Sequence, residues 1–125
     1  MKVRLVSHGP AKGKFNMAVD EAIQNAVRRG EVLPTLRFYE WEPACLSLGY
    51  FQDVGKEVDV ASLHEAGVDL VRRPTGGKAV LHDDELTYSV AVPESDLPGT
   101  VLETYKLLSE AIVDALRSLG VPAEM

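Results

Sequence analysis

The 125-residue sequence lacks several features that would assign a protein to a class at once. It contains one cysteine, so it cannot form an internal disulfide. Its formal net charge of −6 argues against a dedicated nucleic-acid binder, which normally carries a basic face. No stretch approaches the roughly 20 apolar residues that span a bilayer, and the first residues contain no long apolar run preceded by basic residues. We therefore expect a cytoplasmic protein that works without nucleic acid or a membrane.

The hydrophobic pattern predicts one domain of mixed secondary structure. Hydrophobic residues make up 46% of the chain, enough for one modest core, and there are no internal repeats. An apolar stripe predicts a helix from Asn16, as its N-cap, to Arg29, and a capping box at Thr100–Glu103 opens a second long helix. Strands are predicted at 36–41, 45–51, 68–73 and 86–92, the first two as an antiparallel pair. We predict an α+β fold with a mixed, largely antiparallel sheet and helices on one side.

The stretch from Val71 to Val92 holds most of the reactive side chains. Arg72 and Arg73 come first, and because neighbouring residues on a strand point to opposite faces, at most one of them faces a bound anion. The chain then turns through Gly76 and Gly77, where exposed N–H groups would form a nest suited to phosphate, carboxylate or an oxyanion. We predict a hairpin with a ligand at its tip. The alternative is a plain glycine hairpin with solvated charges.

Four other polar residues have a structural interpretation beside a functional one. Cys45 lies among apolar residues without a neighbouring histidine in sequence, so we assign it to the core and not to catalysis. Asn16 and Asp20 are interpreted as a cap and a solvated first helical turn, with a place in a pocket as the alternative. His82 is the only group of the central stretch that titrates near neutral pH, and a structural hydrogen-bonding role is equally open.

The segment RRPTGGKAVLHDDELTYSV, residues 72–90, resembles the lipoate-protein ligase A and octanoyltransferase group of the biotin/lipoyl protein ligase superfamily. Two further segments agree with that family in the same order: FNMAVDEAI at 15–23 and PTLRFYEWEPACLSLGYFQ at 34–52. The resemblance implies that residues 1–125 are the N-terminal part of a single ligase-like catalytic domain. It also implies a set of substrate-binding residues: Arg72, Arg73, Gly76, Gly77, Lys78, Ala79, Val80 and His82.

The resemblance also implies an activity, an octanoyltransferase that moves octanoyl from acyl carrier protein to a lysine of lipoyl-domain proteins. Such acceptors are the glycine cleavage H protein and the E2 subunits of 2-oxoacid dehydrogenases. The family's catalytic lysine and the transferases' cysteine are expected beyond Met125, so no catalytic residue and no metal ligand is assigned here. The last residues, from Val121, read as the start of a connection to another strand.

Lys78 favours the transferase over its closest alternative. Lipoate ligases that use ATP usually carry a third glycine at this position, where the backbone must approach the nucleotide, and a lysine crowds that approach. The transferase implies no cofactor, with the octanoyl or lipoyl group as substrate, whereas a ligase requires ATP. A third alternative is a non-catalytic fragment that only binds the acyl group.

Overall fold

The computed structural model describes all 125 residues, which divide into two compact units, Met1–Val92 and Pro93–Met125. No helix combines the length and apolarity that crossing a membrane requires. In chain order the elements are β1 (Arg4–Ala11), α1 (Gly13–Arg28), β2 (Thr35–Trp41), β3 (Cys45–Leu48), α2 (Val54–Glu57), α3 (Val60–Glu65), β4 (Asp69–Arg72), β5 (Val80–His82), β6 (Thr87–Ala91), a 3-10 turn (Glu94–Asp96) and α4 (Val101–Ser118).

The first unit contains two mixed three-stranded sheets, which confirms the predicted α+β class. In the first sheet β2 lies between β1, its parallel neighbour, and β6, its antiparallel neighbour. In the second sheet β3 lies between β4, which is parallel, and β5, which is antiparallel. The predicted pairing of β2 with β3 is wrong. The residues at 42–44 do not turn the chain back on itself but carry it from one sheet into the other.

The hairpin predicted across Gly76 and Gly77 is also wrong, because β4 and β5 lie on opposite sides of β3 and do not pair with each other. Leu46 of β3 is opposite Leu70 on one side and Leu81 on the other. A buried central strand needs a hydrogen-bonded neighbour on each side. The connection through the two glycines therefore crosses the end of β3, and this brings it to the loop that follows β3.

Helix α1 begins four residues earlier than predicted, so Asn16 is not its N-cap. The N-cap is Lys12, whose side chain makes no capping hydrogen bond. Asn16 is fully buried and donates from Nδ2 to the carbonyl oxygens of Ala11 (3.3 Å) and Glu40 (2.9 Å). The amide thus joins the helix to β2. The core beside it contains Met17, Tyr39, Trp41, Cys45 and Val71.

Asp20 is likewise not a solvated residue. Its carboxylate accepts hydrogen bonds from Arg37 Nη1 (2.7 Å), Tyr39 Oη (2.8 Å) and Ser89 Oγ (2.8 Å). Arg37 itself is fully buried and lies over the Tyr39 ring, 3.9 Å from its centre. Asp20 therefore anchors α1 to both β2 and β6 through a charged group.

In the second unit, α4 begins at the predicted capping box. Thr100 Oγ1 accepts from the Glu103 backbone N–H (3.3 Å), and the Glu103 carboxylate accepts from the Thr100 N–H (2.6 Å). This exchange satisfies two donors at the helix start that would otherwise lack partners. No side chain of α4 is buried.

Candidate functional site

The glycine turn, defined here as residues 74–78, lies against the loop at 49–52. The Tyr50 N–H donates to the Thr75 carbonyl oxygen (2.9 Å). A Cβ on Gly49 would overlap the carbonyl oxygen of Gly77, so only glycine permits this approach of two backbones. Gly77 has a φ of +94°, a conformation that residues with a side chain rarely adopt. Glycine at both positions therefore holds the turn and the loop together.

Arg72 shapes the loop. Its Nη1 donates to the carbonyl oxygens of Gly49 (3.0 Å), Tyr50 (3.2 Å) and Gln52 (2.6 Å). The Gln52 side chain adds a further bond, since its Oε1 accepts from the Gly49 N–H (2.9 Å). One guanidinium thus binds three carbonyl oxygens of the loop and fixes their orientation.

Arg73 shapes the glycine turn in the same way. Its Nη2 donates to the carbonyl oxygens of Gly76 and Lys78, both at 2.9 Å. Its Nη1 donates to the carbonyl oxygen (3.0 Å) and the Oγ (2.7 Å) of Ser47. Neither Arg72 nor Arg73 forms an ion pair with a carboxylate. Two positive charges therefore remain without a carboxylate partner at the turn, next to Lys78.

The residues at and after the turn face open space. Gly76, Gly77, Lys78 and Ala79 are exposed, and Val80 is 44% exposed. A Cβ built on Gly76 would meet no atom within 4 Å, so the backbone is accessible there. The predicted site residues thus gather on one accessible segment, except that Arg73 is half-buried and His82 is buried.

His82 is buried beneath this segment and is fixed on three sides. Its Nε2 is 2.7 Å from Ser47 Oγ, and its Nδ1 contacts the Glu85 carboxylate. The ring stacks on Trp41 with centres 4.1 Å apart. Sequence reasoning missed both Ser47 and Glu85. Their signals were weak: a single polar residue in the strand CLSL, and an acid three positions after the histidine.

The prediction that Cys45 belongs to the core is confirmed, since its side chain is fully buried. No histidine is near Cys45 in sequence, but the fold places His82 directly opposite it in the β3–β5 register. The Sγ bonds to the Leu46 carbonyl oxygen (3.7 Å) and makes no bond to the imidazole. Burial, followed by the charge of Asp69, raises the thiol pKa to about 11. The group is therefore a protonated thiol at neutral pH and a poor nucleophile.

Two mixed sheets, α1 beside them and a glycine turn with paired arginines make up a domain of the biotin/lipoyl ligase type. No group of three or more histidine, cysteine, aspartate or glutamate side chains is placed to hold a metal ion. The chain belongs to the lipoyl protein ligase A/B catalytic domain family, whose model matches residues 12–125.

Comparison with individual proteins agrees with this assignment. The chain is 57% identical over 122 residues to a protein of Kyrpidia tusciae named octanoyltransferase LipM, covering 96% of this chain and 44% of that protein. It is 35% identical to lipoate-protein ligase A in a crystal structure with bound ATP, with a TM-score of 0.83, covering 96% of this chain and 48% of that one.

A third relative is the bi-partite lipoate protein ligase of Thermoplasma acidophilum, whose structural analysis includes its E2 lipoyl domain. The identity is 32% and the TM-score 0.82, covering all of this chain and 48% of that one. These scores confirm the ligase-like fold. The chain spans about half the length of each of these three relatives.

Proposed function

We propose that the full-length protein is an octanoyltransferase of protein lipoylation, which moves octanoyl from acyl carrier protein to a lysine of a lipoyl-domain protein. The observation that carries the proposal is the 57% identity to octanoyltransferase LipM along 96% of this chain, a span that includes the glycine turn. The E2 lipoyl domain studied with the Thermoplasma ligase supports a lipoyl domain as the acceptor. The acyl carrier protein donor and the cytoplasmic location stay predictions.

The glycine turn suits the polar end of a thioester substrate. Arg72, Arg73 and Lys78 make it locally positive, and backbone donors near Gly76 and Gly77 are available to an oxyanion. Losing one such donor typically costs about 3 to 4 kcal/mol of transition-state stabilisation. We propose that the substrate-binding set is Arg72, Arg73, Gly76, Gly77, Lys78, Ala79, Val80 and His82.

The strand after the turn suits the apolar end. Val80 and Leu81 are 44% and 59% exposed, so their apolar surface is available to a ligand. An eight-carbon acyl chain has about six methylenes, worth roughly 5 kcal/mol when fully buried. We propose that the head group lies at the turn and the tail along β5.

No nucleophile for acyl transfer is available among these residues. Cys45, the one thiol, is buried, and burial raises its pKa. We propose that the transferring cysteine and lysine lie elsewhere in the full-length protein. The cysteine would take octanoyl from the carrier thioester and release the carrier thiol, and the acceptor lysine would then displace the cysteine.

The second candidate is an ATP-dependent lipoate-protein ligase, favoured by the likeness to the ATP-bound ligase structure. The test is mass spectrometry of a lipoyl domain incubated with the full-length protein and either octanoyl-acyl carrier protein alone or free octanoate with ATP. Octanoylation in the first mixture supports the transferase, which needs no cofactor. Octanoylation in the second mixture alone establishes the ligase. Binding of the acyl group without transfer in either mixture identifies a non-catalytic binder.

A further inference from the structure

A continuous hydrogen-bonded chain connects the buried histidine to the glycine turn. We call it the His82 relay: Glu85, His82, Ser47 and Arg73. We propose that this relay positions the glycine turn for acyl binding, with His82 held as the neutral tautomer that carries its proton on Nδ1. Its role in acyl binding rests on the proposed function, whereas its role in ordering the turn does not.

The donors and acceptors of the relay fit together in one direction. A guanidinium can only donate, so Ser47 Oγ accepts from Arg73 Nη1 at 2.7 Å. A carboxylate can only accept, so the proton between Glu85 and His82 lies on Nδ1. Nε2 of the neutral ring is then an acceptor, and the Ser47 hydroxyl donates to it at 2.7 Å. The donor order is thus Arg73 to Ser47, Ser47 to His82 and His82 to Glu85.

The opposite tautomer breaks this order at both ends. A bare Nδ1 would face the Glu85 oxygen, so two acceptors would oppose each other. A proton on Nε2 would point at Ser47 Oγ, and the hydroxyl hydrogen would lose its acceptor. Ser47 is fully buried and His82 is 7% exposed, so water is a poor substitute for the lost partners. The stacked Trp41 ring restricts rotation of the imidazole as a further constraint.

The relay reaches the ligand segment through Arg73. The guanidinium that donates to Ser47 Oγ also holds the carbonyl oxygens of Gly76 and Lys78 at 2.9 Å each. Glu85 and His82 therefore fix the position of the Ser47 hydroxyl that accepts the hydrogen bond from Arg73. Arg73 in turn fixes two carbonyl oxygens of the turn. Glu85 and Ser47 are accordingly positioning residues.

The serine, histidine and glutamate have the order of a hydrolytic triad, yet Ser47 does not serve as a nucleophile. Its side chain is fully buried, so no substrate carbonyl can reach it. Its Oγ also accepts a hydrogen bond from a cation, which reduces the electron density that an attack would need. The same geometry that suits a triad here serves to hold Arg73.

Two variants at one position separate the relay from simple loss of packing. Glu85→Gln keeps an oxygen that accepts from Nδ1, whereas Glu85→Ala has none. Asp83→Ala is the matched control, an exposed acid in the same segment with no side-chain hydrogen bond. Nitrogen-15 spectra of the full-length protein at neutral pH are expected to show His82 protonated on Nδ1 alone. The signal is assigned by its loss in His82→Gln.

Amide hydrogen exchange at Tyr50, whose N–H donates to the Thr75 carbonyl oxygen of the turn, gives a readout without activity. Glu85→Ala is expected to speed exchange at this amide by about tenfold, equivalent to about 1.4 kcal/mol of local stability. Glu85→Gln and Asp83→Ala are expected to keep the wild-type rates. In octanoyl transfer, Glu85→Ala is expected to raise KM for the octanoyl donor with little change in kcat, because binding and not chemistry is perturbed.

A spectrum that shows His82 protonated on Nε2 or on both nitrogens overturns the relay. Equal amide exchange rates in Glu85→Ala and Glu85→Gln overturn it as well. If Glu85→Ala fails to fold, Ser47→Ala offers the same exchange measurement from the other end. Absence of octanoyl transfer by the wild-type protein refutes the proposed function, while the spectra and exchange rates still decide the relay.

Discussion

Replacing Asp20 by alanine removes the carboxylate that neutralises the buried Arg37. Arg37 is completely enclosed and Asp20 retains only 12% exposure of its side chain, with 2.7 Å between Nη1 and Oδ1. The change also deprives the hydroxyl groups of Tyr39 and Ser89 of their acceptor. A charge left inside the protein without its counter-ion is among the most destabilising results of a single substitution.

The size of the stability loss depends on the hydrogen-bond acceptors that Arg37 keeps in the variant. Removing one partner of a buried ion pair costs about 3 to 5 kcal/mol of unfolding free energy. Arg37 retains acceptors in the Asn16 carbonyl oxygen, Asn16 Oδ1 and His8 Nδ1, each at 3.0 Å. We therefore expect the lower end, a loss of about 3 kcal/mol. Asp20→Asn keeps an oxygen for Arg37 and is expected to lose less.

Urea unfolding of the full-length protein, followed by circular dichroism, measures this loss. Glu31→Ala is the control, because Glu31 pairs with Arg29 at the same distance of 2.7 Å but both side chains are 56% exposed. Its unfolding midpoint is expected to equal that of the wild type, since water screens exposed pairs. A loss below about 1 kcal/mol in Asp20→Ala, the range of surface pairs, would refute the reasoning.

Four further predictions concern the turn and the thiol. Gly76→Val is expected to weaken octanoyl binding by about tenfold, or about 1.4 kcal/mol, with an unchanged midpoint, because the new side chain enters space open to the ligand. Gly77→Val is expected to lose both octanoyl binding and stability, because the φ of Gly77 is +94°. Unchanged octanoyl affinity in the folded Gly76→Val variant would count against the turn as the binding site. Cys45 is expected to resist iodoacetamide at pH 8 in the folded protein and to react after unfolding, as peptide mass mapping would show. Folding raises the pKa of its thiol from 9.0 to about 11. The contribution of this thiol to stability is therefore full below pH 9 and falls as pH rises toward 11. Cys45→Ala in the full-length protein is expected to keep octanoyl transfer, and loss of transfer with the fold intact would return this thiol to the mechanism.

Features encoded by neighbouring residues were predictable from the sequence, and features that depend on pairing were not. The capping box of α4 lies within four consecutive residues, and the glycine turn within five, so the residue types alone indicated them. Asn16 was misread because a polar side chain near a helix start looks the same whether it caps the helix or bonds to Glu40, 24 residues away. The contact between Ser47 and His82 spans 35 residues and depends on β3 and β5 becoming neighbours, which local sequence does not specify.

The approach of Gly49 to Gly77 has a consequence for anyone who exchanges segments among members of this family. The loop at 49–52 and the glycine turn are one structural unit, because the Gly77 backbone occupies the space in which a side chain at position 49 would lie, and the Tyr50 N–H bonds to the turn. A graft that transfers the turn alone from a relative would combine two surfaces shaped for different partners. Chimeras that alter substrate preference should therefore transplant both segments together, along with the two arginines that hold them.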